Sequence, residues 1–185
     1  MKTVAAVLVI LVMALALSAA EKIVINEIMY NNPGTDVEFI ELINVSGSSI
    51  NLSGWSVVDD NDAHVKCQLS GTLAANAYLV VVGDKAAFGA VYPDVNNVNA
   101  NVFDENGTGW SLGNNGDTIR LFENDVLHDS VNYNDGGGWP TSPDGNGPSL
   151  ELLHPGLDNN ELSSWDPSQT DGGTPGVQNS VYTTN

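Results

Sequence analysis

The sequence has little positive charge and almost no cysteine. Lys and Arg together number 5 against 23 Asp and Glu, which gives a formal net charge of −18. A chain this acidic repels phosphate backbones, so we exclude nucleic-acid binding through a basic face. Cys67 is the only cysteine and has no partner for an intrachain disulfide. Because the apolar residues Val65 and Leu69 flank it, we interpret Cys67 as a small buried hydrophobe.

Short catalytic motifs are absent as well. The sequence has no HExxH pattern, no GxSxG elbow and no phosphate-binding glycine loop. Its 3 histidines, His64, His128 and His154, are far apart in the sequence and are interpreted as ordinary exposed side chains. We therefore predict a noncatalytic chain with no catalytic residues. Because catalytic triads are spatial arrangements, a secreted hydrolase stays open as an alternative.

Long apolar runs are missing everywhere except at the N-terminus. Lys2 precedes an apolar run at residues 4–17, and the small residues Ser18 and Ala20 follow it. This run is shorter than the ~20 residues that a membrane span needs, and its flanks are those of a signal peptide. We predict a signal peptide at residues 1–20, cleaved after Ala20, and a secreted or cell-surface-associated chain without a membrane span. An uncleaved membrane anchor is the alternative.

The remaining sequence is dominated by β-strand patterns and turn residues. Residues 23–30 are rich in β-branched side chains, residues 39–43 are apolar on both faces except at Glu41, and residues 78–82 form a continuous apolar run. Many short strands with almost no helical periodicity predict an all-β fold, specifically an antiparallel β-sandwich.

Three local patterns refine this prediction. Residues 118–122 and 126–133 have alternating patterns around a short polar turn, which predicts a β-hairpin. Residues 85–92 are predicted to form a short helix, with Asp84 directly before it as the N-cap. Beyond residue 135, Leu150 and Leu152 predict a last edge strand, and Trp165 predicts an anchor on the sandwich. Residues 180–185 are predicted to be a frayed tail.

Six sequence blocks follow one another in the order of a known family. They are INEIMY at 25–30, EFIEL at 38–42, LSGW at 52–55, YLVVVGD at 78–84, LGNNGDTIRL at 112–121 and GTPG at 173–176. In this order they resemble the lamin-tail domain in its bacterial secreted form. The resemblance implies an immunoglobulin-like β-sandwich over residues 21–179 that acts by binding or scaffolding. Nuclear function is not carried over, because the chain has a leader and no coiled-coil rod.

An acidic turn is the candidate metal site. Asp59, Asp60 and Asp62, together with Asn61, place four oxygen-bearing side chains in one turn after a strand, and oxygen ligands suit Ca²⁺. Asp and Asn are also common in turns because they hydrogen-bond their own backbone. A structural Ca²⁺ and ordinary turn chemistry therefore both remain open for these residues.

Buried carboxylates and tryptophans are the other candidate features. Glu27 and Glu41 have apolar strand neighbours, and a buried carboxylate must be paired, hydrogen-bonded or protonated, so we expect structural roles. Trp55 is expected in the core. Trp110 and Trp139 lie near glycines and are the surface candidates for a platform that binds sugars or peptides; the alternative, which stays open, is that each only plugs a loop.

Taken together, these patterns predict a noncatalytic secreted or cell-surface module that binds protein or matrix partners. The alternative is a Ca²⁺-dependent adhesion or carbohydrate-binding module, for which a glycan is the partner. A secreted hydrolase is the third hypothesis.

Overall fold

The computed structural model describes residues 23–34, 37–107 and 109–184. The predicted signal peptide at residues 1–20 lies outside these residues. Strands are the main elements, with one short α-helix and two 3₁₀ turns. In chain order they are β1 (Ile23–Met29), β2 (Phe39–Asn44), β3 (Ile50–Asn51), β4 (Trp55–Val58), β5 (Cys67–Gln68), β6 (Thr72–Leu73), β7 (Tyr78–Val82), α1 (Lys85–Val91), a 3₁₀ turn (Glu105–Gly107), β8 (Asp117–Glu123), β9 (Val126–Tyr133), β10 (Pro148–Leu152), a 3₁₀ turn (Leu162–Ser164) and β11 (Trp165–Asp171).

Two antiparallel sheets face each other. The larger has the strand order β11-β10-β1-β2-β7 and the smaller has the order β5-β4-β8-β9, with β3 and β6 forming a separate pair. The main core combines buried apolar side chains from both sheets, including Ile28, Ile40, Val57 and Leu121. The predicted fold class, an immunoglobulin-like antiparallel β-sandwich, is confirmed.

Local sequence signals define several elements correctly. The hairpin of β8 and β9 turns through Asn124 and Asp125, whose φ angles of 50° and 63° suit a tight two-residue loop. Asp84 caps α1, because its Oδ1 accepts hydrogen bonds from the backbone N–H groups of Ala86 and Ala87. Cys67 is buried, and this burial raises the pKa of its thiol to about 11.

The end of the larger sheet differs from the prediction. Strand β10, which carries Leu150 and Leu152, lies between β1 and β11 and is not an edge strand. The edge is β11, whose sequence is mostly polar and contains Pro167. Proline cannot donate to a ladder and is tolerated at sheet edges, which fits this position. Trp165 is buried and anchors the start of β11, as predicted.

The C-terminal residues are bound to the sandwich, which differs from the predicted frayed tail at 180–185. The Ser180 hydroxyl and the Val181 backbone N–H donate to the Glu151 carboxylate at 2.7 and 3.1 Å. The Thr183 backbone N–H donates to the Leu153 carbonyl at 2.8 Å. These partners are about thirty residues away in the sequence, so local composition gave no signal for them. No helix in the described ranges is long and apolar enough to cross a bilayer.

Candidate functional site

Three glutamates form a row across neighbouring strands of the larger sheet. Glu27 on β1 is paired in register with Glu41 on β2 and with Glu151 on β10. All three side chains are 0% exposed. Their strand neighbours Ile28 and Leu150 face the sandwich core, so the glutamates lie on the opposite, outer face of the sheet. We call these residues the carboxylate row.

A β-bulge places Glu27 in this row. The pairing of β1 with β2 shifts register between Ile25 and Glu27, so Asn26 is the extra residue. Residues two apart in a regular strand share a face, but here Ile25 points into the core and Glu27 points away from it. The Asn26 side chain donates to Glu41 Oε1 at 2.9 Å and to Asn179 Oδ1 at 2.8 Å. The bulge therefore also links the row to the C-terminus.

Residues 172–183, which we call the C-terminal segment, cover the carboxylate row. The Thr174 backbone N–H donates to Glu27 Oε1 at 2.8 Å, and its hydroxyl donates to Glu151 Oε1 at 2.7 Å. The Gly176 backbone N–H donates to Glu41 Oε2. Glu27 and Glu151 thus share Thr174, Glu41 binds Gly176, and Glu151 additionally binds residues 180 and 181.

Burial and the negative charge of neighbouring glutamates raise the pKa of Glu27 and of Glu41. Burial is the main cause that raises the pKa of Glu27 to about 8, and the negative charge of Glu151 adds to it. Hydrogen bonds from Ser149 and Thr174 act in the opposite direction. Burial and then the Glu27 charge raise the pKa of Glu41 well above its usual value. Because the hydrogen-bond donors around Glu27 and Glu41 are neutral, no positive charge offsets the effect of burial, and the pKa of both glutamates stays raised.

The C-terminal segment also forms one wall of a surface cleft of about 550 Å³. Ile43 near the end of β2 and Tyr78 at the start of β7, which are paired in register, also line the cleft. His154 lines it beside Tyr182 of the segment, with ring centroids 5.3 Å apart. Asn76 and Gln178 contribute amide side chains to the lining. We call this feature the C-terminal cleft.

Two further contacts position the walls of the cleft. The Gly156 backbone N–H donates to His154 Nδ1 at 2.9 Å, so neutral His154 carries its proton on Nε2. The Asn97 side chain donates to the carbonyls of Tyr78 and Gly176 at 2.9 and 3.3 Å. The second contact joins the flank of β7 to the C-terminal segment, so these two parts of the cleft are tied together.

The predicted metal candidates are bound to neighbouring protein groups. Asp59 Oδ2 lies 2.7 Å from His64 Nδ1, and the Arg120 guanidinium donates to Asp62 Oδ1 at 2.7 Å and to the Asp59 carbonyl at 2.8 Å. Asp60 is exposed. Within the described part of the chain, no group of three or more His, Cys, Asp or Glu is arranged to hold a metal ion. The Ca²⁺ hypothesis for Asp59, Asp60 and Asp62 stays a prediction.

The tryptophans lie deeper than the sequence suggested. Trp55 is in the core, as predicted. Trp110 is buried too, stacked on Phe103 at 4.5 Å, with its indole N–H donating to the Val65 carbonyl at 3.0 Å. The interpretation of Trp110 as a surface platform is therefore wrong, because partners distant in sequence cover it. Trp139 is half-buried and packs near Trp165, with 6.4 Å between ring centroids.

The histidines have separate environments. His64 contacts Asp59, the His128 ring packs edge-on against Trp55 at 4.7 Å, and His154 lines the C-terminal cleft. The features that sequence reasoning missed are Glu151 and the cleft residues His154, Gln178 and Tyr182. Glu151 had an available signal, since it lies between Leu150 and Leu152 as Glu41 lies between two apolar residues. The cleft residues had none, because only the tertiary fold brings them together.

The sandwich and its covered outer face define an immunoglobulin-like interaction module. The model of the Lamin Tail Domain family matches residues 16–135, and the chain belongs to this family. Members of the family are noncatalytic domains of the protein-interaction type. No curated protein and no solved structure matches the chain. The family match ends before β10, so Glu151, His154 and Tyr182 lie beyond it.

Proposed function

We propose that the chain is a noncatalytic module, secreted or held at the cell surface, that binds a protein or matrix partner through the C-terminal cleft. The observation that carries this proposal is the cleft itself. Its volume of about 550 Å³ is in the range of natural ligand sites. Its aromatic and aliphatic lining with a few amide groups is the usual composition of such sites.

The cleft is supported by rigid elements. Two of its lining residues, Ile43 and Tyr78, belong to paired strands, and the C-terminal segment is fixed by the carboxylate row. A preformed site loses less conformational entropy on binding than a mobile one. The strength of this anchoring therefore favours a recognition role for the cleft.

Secretion or surface display is supported by the sequence. Residues 1–20 have the pattern of a signal peptide, and a net charge of −18 favours solubility outside the cell. The Ca²⁺-dependent alternative rests on the Asp59, Asp60 and Asp62 turn, where the carboxylates of Asp60 and Asp62 are accessible to solvent. A chelator distinguishes the two, because it should abolish partner binding only if that binding depends on Ca²⁺.

A pull-down from the surface fraction of the producing cells tests the proposal. The immobilised wild-type chain is compared with Tyr182→Ala in the cleft wall and with Val177→Ala. Val177 is 57% exposed on the same segment and does not line the cleft, so it is a matched control. We expect wild type and Val177→Ala to retain the same partner and Tyr182→Ala to lose it, with or without chelator.

Two results would contradict this expectation. Retention of the same partner by Tyr182→Ala, with an unchanged melting temperature, would remove the cleft as the binding surface. Loss of the partner in chelator alone would favour the Ca²⁺-dependent module.

A further inference from the structure

We infer that the C-terminal cleft binds a neutral saccharide, with a sugar ring stacked on its tyrosine side chains. This inference rests on the proposed function, because it names the chemical class of ligand for the same cleft.

The lining of the cleft is free of charged residue types. None of its described lining residues is Asp, Glu, Lys or Arg, although the chain has 23 acidic side chains. A cationic ligand would find no carboxylate in this lining, and an anionic ligand would find no Lys or Arg. Since charge complementarity governs the choice of ionic partners, the cleft is suited to a neutral ligand.

The aromatic side chains offer flat apolar surfaces with polar tips. Tyr182 is 38% exposed and Tyr78 is half-buried, and both line the cleft. An aromatic face packs against the C–H face of a sugar ring, while the phenol hydroxyl reaches the ring's own hydroxyls.

The polar groups of the cleft can both donate and accept hydrogen bonds. Asn76 and Gln178 each supply an amide oxygen and an amide NH₂ group. Asn76 is exposed and has a left-handed backbone with φ of 58°, and its N–H donates to the Asn44 carbonyl at 2.9 Å. Sugar hydroxyls also donate and accept, so this pair of amides complements them without any charge.

A peptide is less suited to this position because the adjacent sheet edge is already paired. Residues 97–99 run beside β7, where the Val80 N–H donates to the Asn97 carbonyl at 2.9 Å and the Asn99 N–H donates to the Val80 carbonyl at 2.8 Å. Peptides that bind at sheets usually add a strand through such backbone groups. Two residues along β7 from Tyr78, those groups of Val80 are already occupied.

An array of neutral oligosaccharides, followed by titration calorimetry on the positive members, tests the inference. We expect binding by the wild-type chain and by Val177→Ala. Tyr78→Ala and Tyr182→Ala should each weaken it about fivefold, since a ring contact is worth about 1 kcal/mol. Tyr182→Phe keeps the ring and should retain most of the affinity, which separates lost stacking from a folding defect. Silence of the whole array would contradict the inference.

Treatment of the surface fraction separates this inference from the proposed function. Periodate oxidises sugar diols, and protease removes polypeptide. We expect the wild-type chain to bind protease-treated material and to lose binding after periodate. Binding that survives periodate and disappears after protease would overturn the saccharide and leave the proposed function standing. If the untreated fraction does not bind at all, both are overturned.

Discussion

Glu27 is at the centre of the carboxylate row and couples protonation to stability. Its pKa is raised from the usual 4.5 to about 8, mainly by burial. Because the folded state binds the proton more tightly than the unfolded state, this stabilisation is present at low pH and is lost as pH rises toward 8. Glu41 shifts in the same direction, so the two glutamates act together. Stability should therefore fall between about pH 5 and pH 9.

Glu27→Gln tests this coupling. Glutamine keeps the shape and an oxygen that can accept from Ser149 and Thr174, and it cannot ionise. Wild type should lose on the order of a few kcal/mol of unfolding free energy from pH 5 to pH 9, and Glu27→Gln should lose clearly less. Denaturant melts at several pH values measure this, with the exposed Glu161→Gln as control. If the unfolding free energy of Glu27→Gln falls with pH as steeply as that of wild type, Glu27 does not titrate in this range.

The backbone of Gly173 packs closely against the carboxylate row. Its φ is 75°, and a Cβ there would overlap Glu27 Oε1 and Ser149 Oγ. We expect Gly173→Ala to destabilise the chain by about 2 kcal/mol more than Gly71→Ala, because the added methyl must displace a buried hydrogen-bonded carboxylate. Gly71 is the matched control, since its φ is 89° and nothing lies within 4 Å. Thermal or denaturant unfolding measures both variants. An equal loss of stability in Gly173→Ala and Gly71→Ala would contradict the close packing at Gly173.

At the scale of elements, the C-terminal segment links the stability of the fold to the proposed binding site. It covers three buried glutamates and supplies Gln178 and Tyr182 to the cleft. Deletion of residues 172–185 should lower the melting temperature by several degrees and abolish binding, because the row loses its donors and the cleft loses a wall. Deletion of residues 184–185 alone is the control and should change neither property. A shortened chain with the wild-type melting temperature would contradict the anchoring role.

The same elements show what the sequence could and could not predict. The β8–β9 hairpin and the Asp84 cap depend on neighbours within a few residues, and both were predicted correctly. The interior position of β10 depends on β11, whose polar sequence gave no strand signal. The order of the C-terminal segment depends on Glu151 and on the bulge at Asn26, which are distant in sequence. Long-range pairing, and not local propensity, decided these outcomes.

At the scale of the whole molecule, the large negative charge determines how added cations act. With a formal charge of −18, any divalent cation reduces self-repulsion. Asp59 and Asp62 are already engaged by His64 and Arg120. We therefore expect Ca²⁺ and Mg²⁺ at equal concentration to change the melting temperature equally. A rise with Ca²⁺ that Mg²⁺ does not reproduce, lost in Asp60→Asn, would support a specific calcium site instead.

In our proposal, the module binds its partner at the C-terminal cleft, where the C-terminal segment meets the end of β2 and the start of β7. Hydrogen exchange measured by mass spectrometry, on the chain alone and on the chain mixed with a solubilised surface fraction of the producing cells, tests this most directly. We predict slower exchange on binding in peptides that contain residues 43–45, 76–78, 154–156 and 178–182. Protection confined to the β8–β9 turn, where Val126 and Leu127 are exposed, with no change around the cleft, would contradict it.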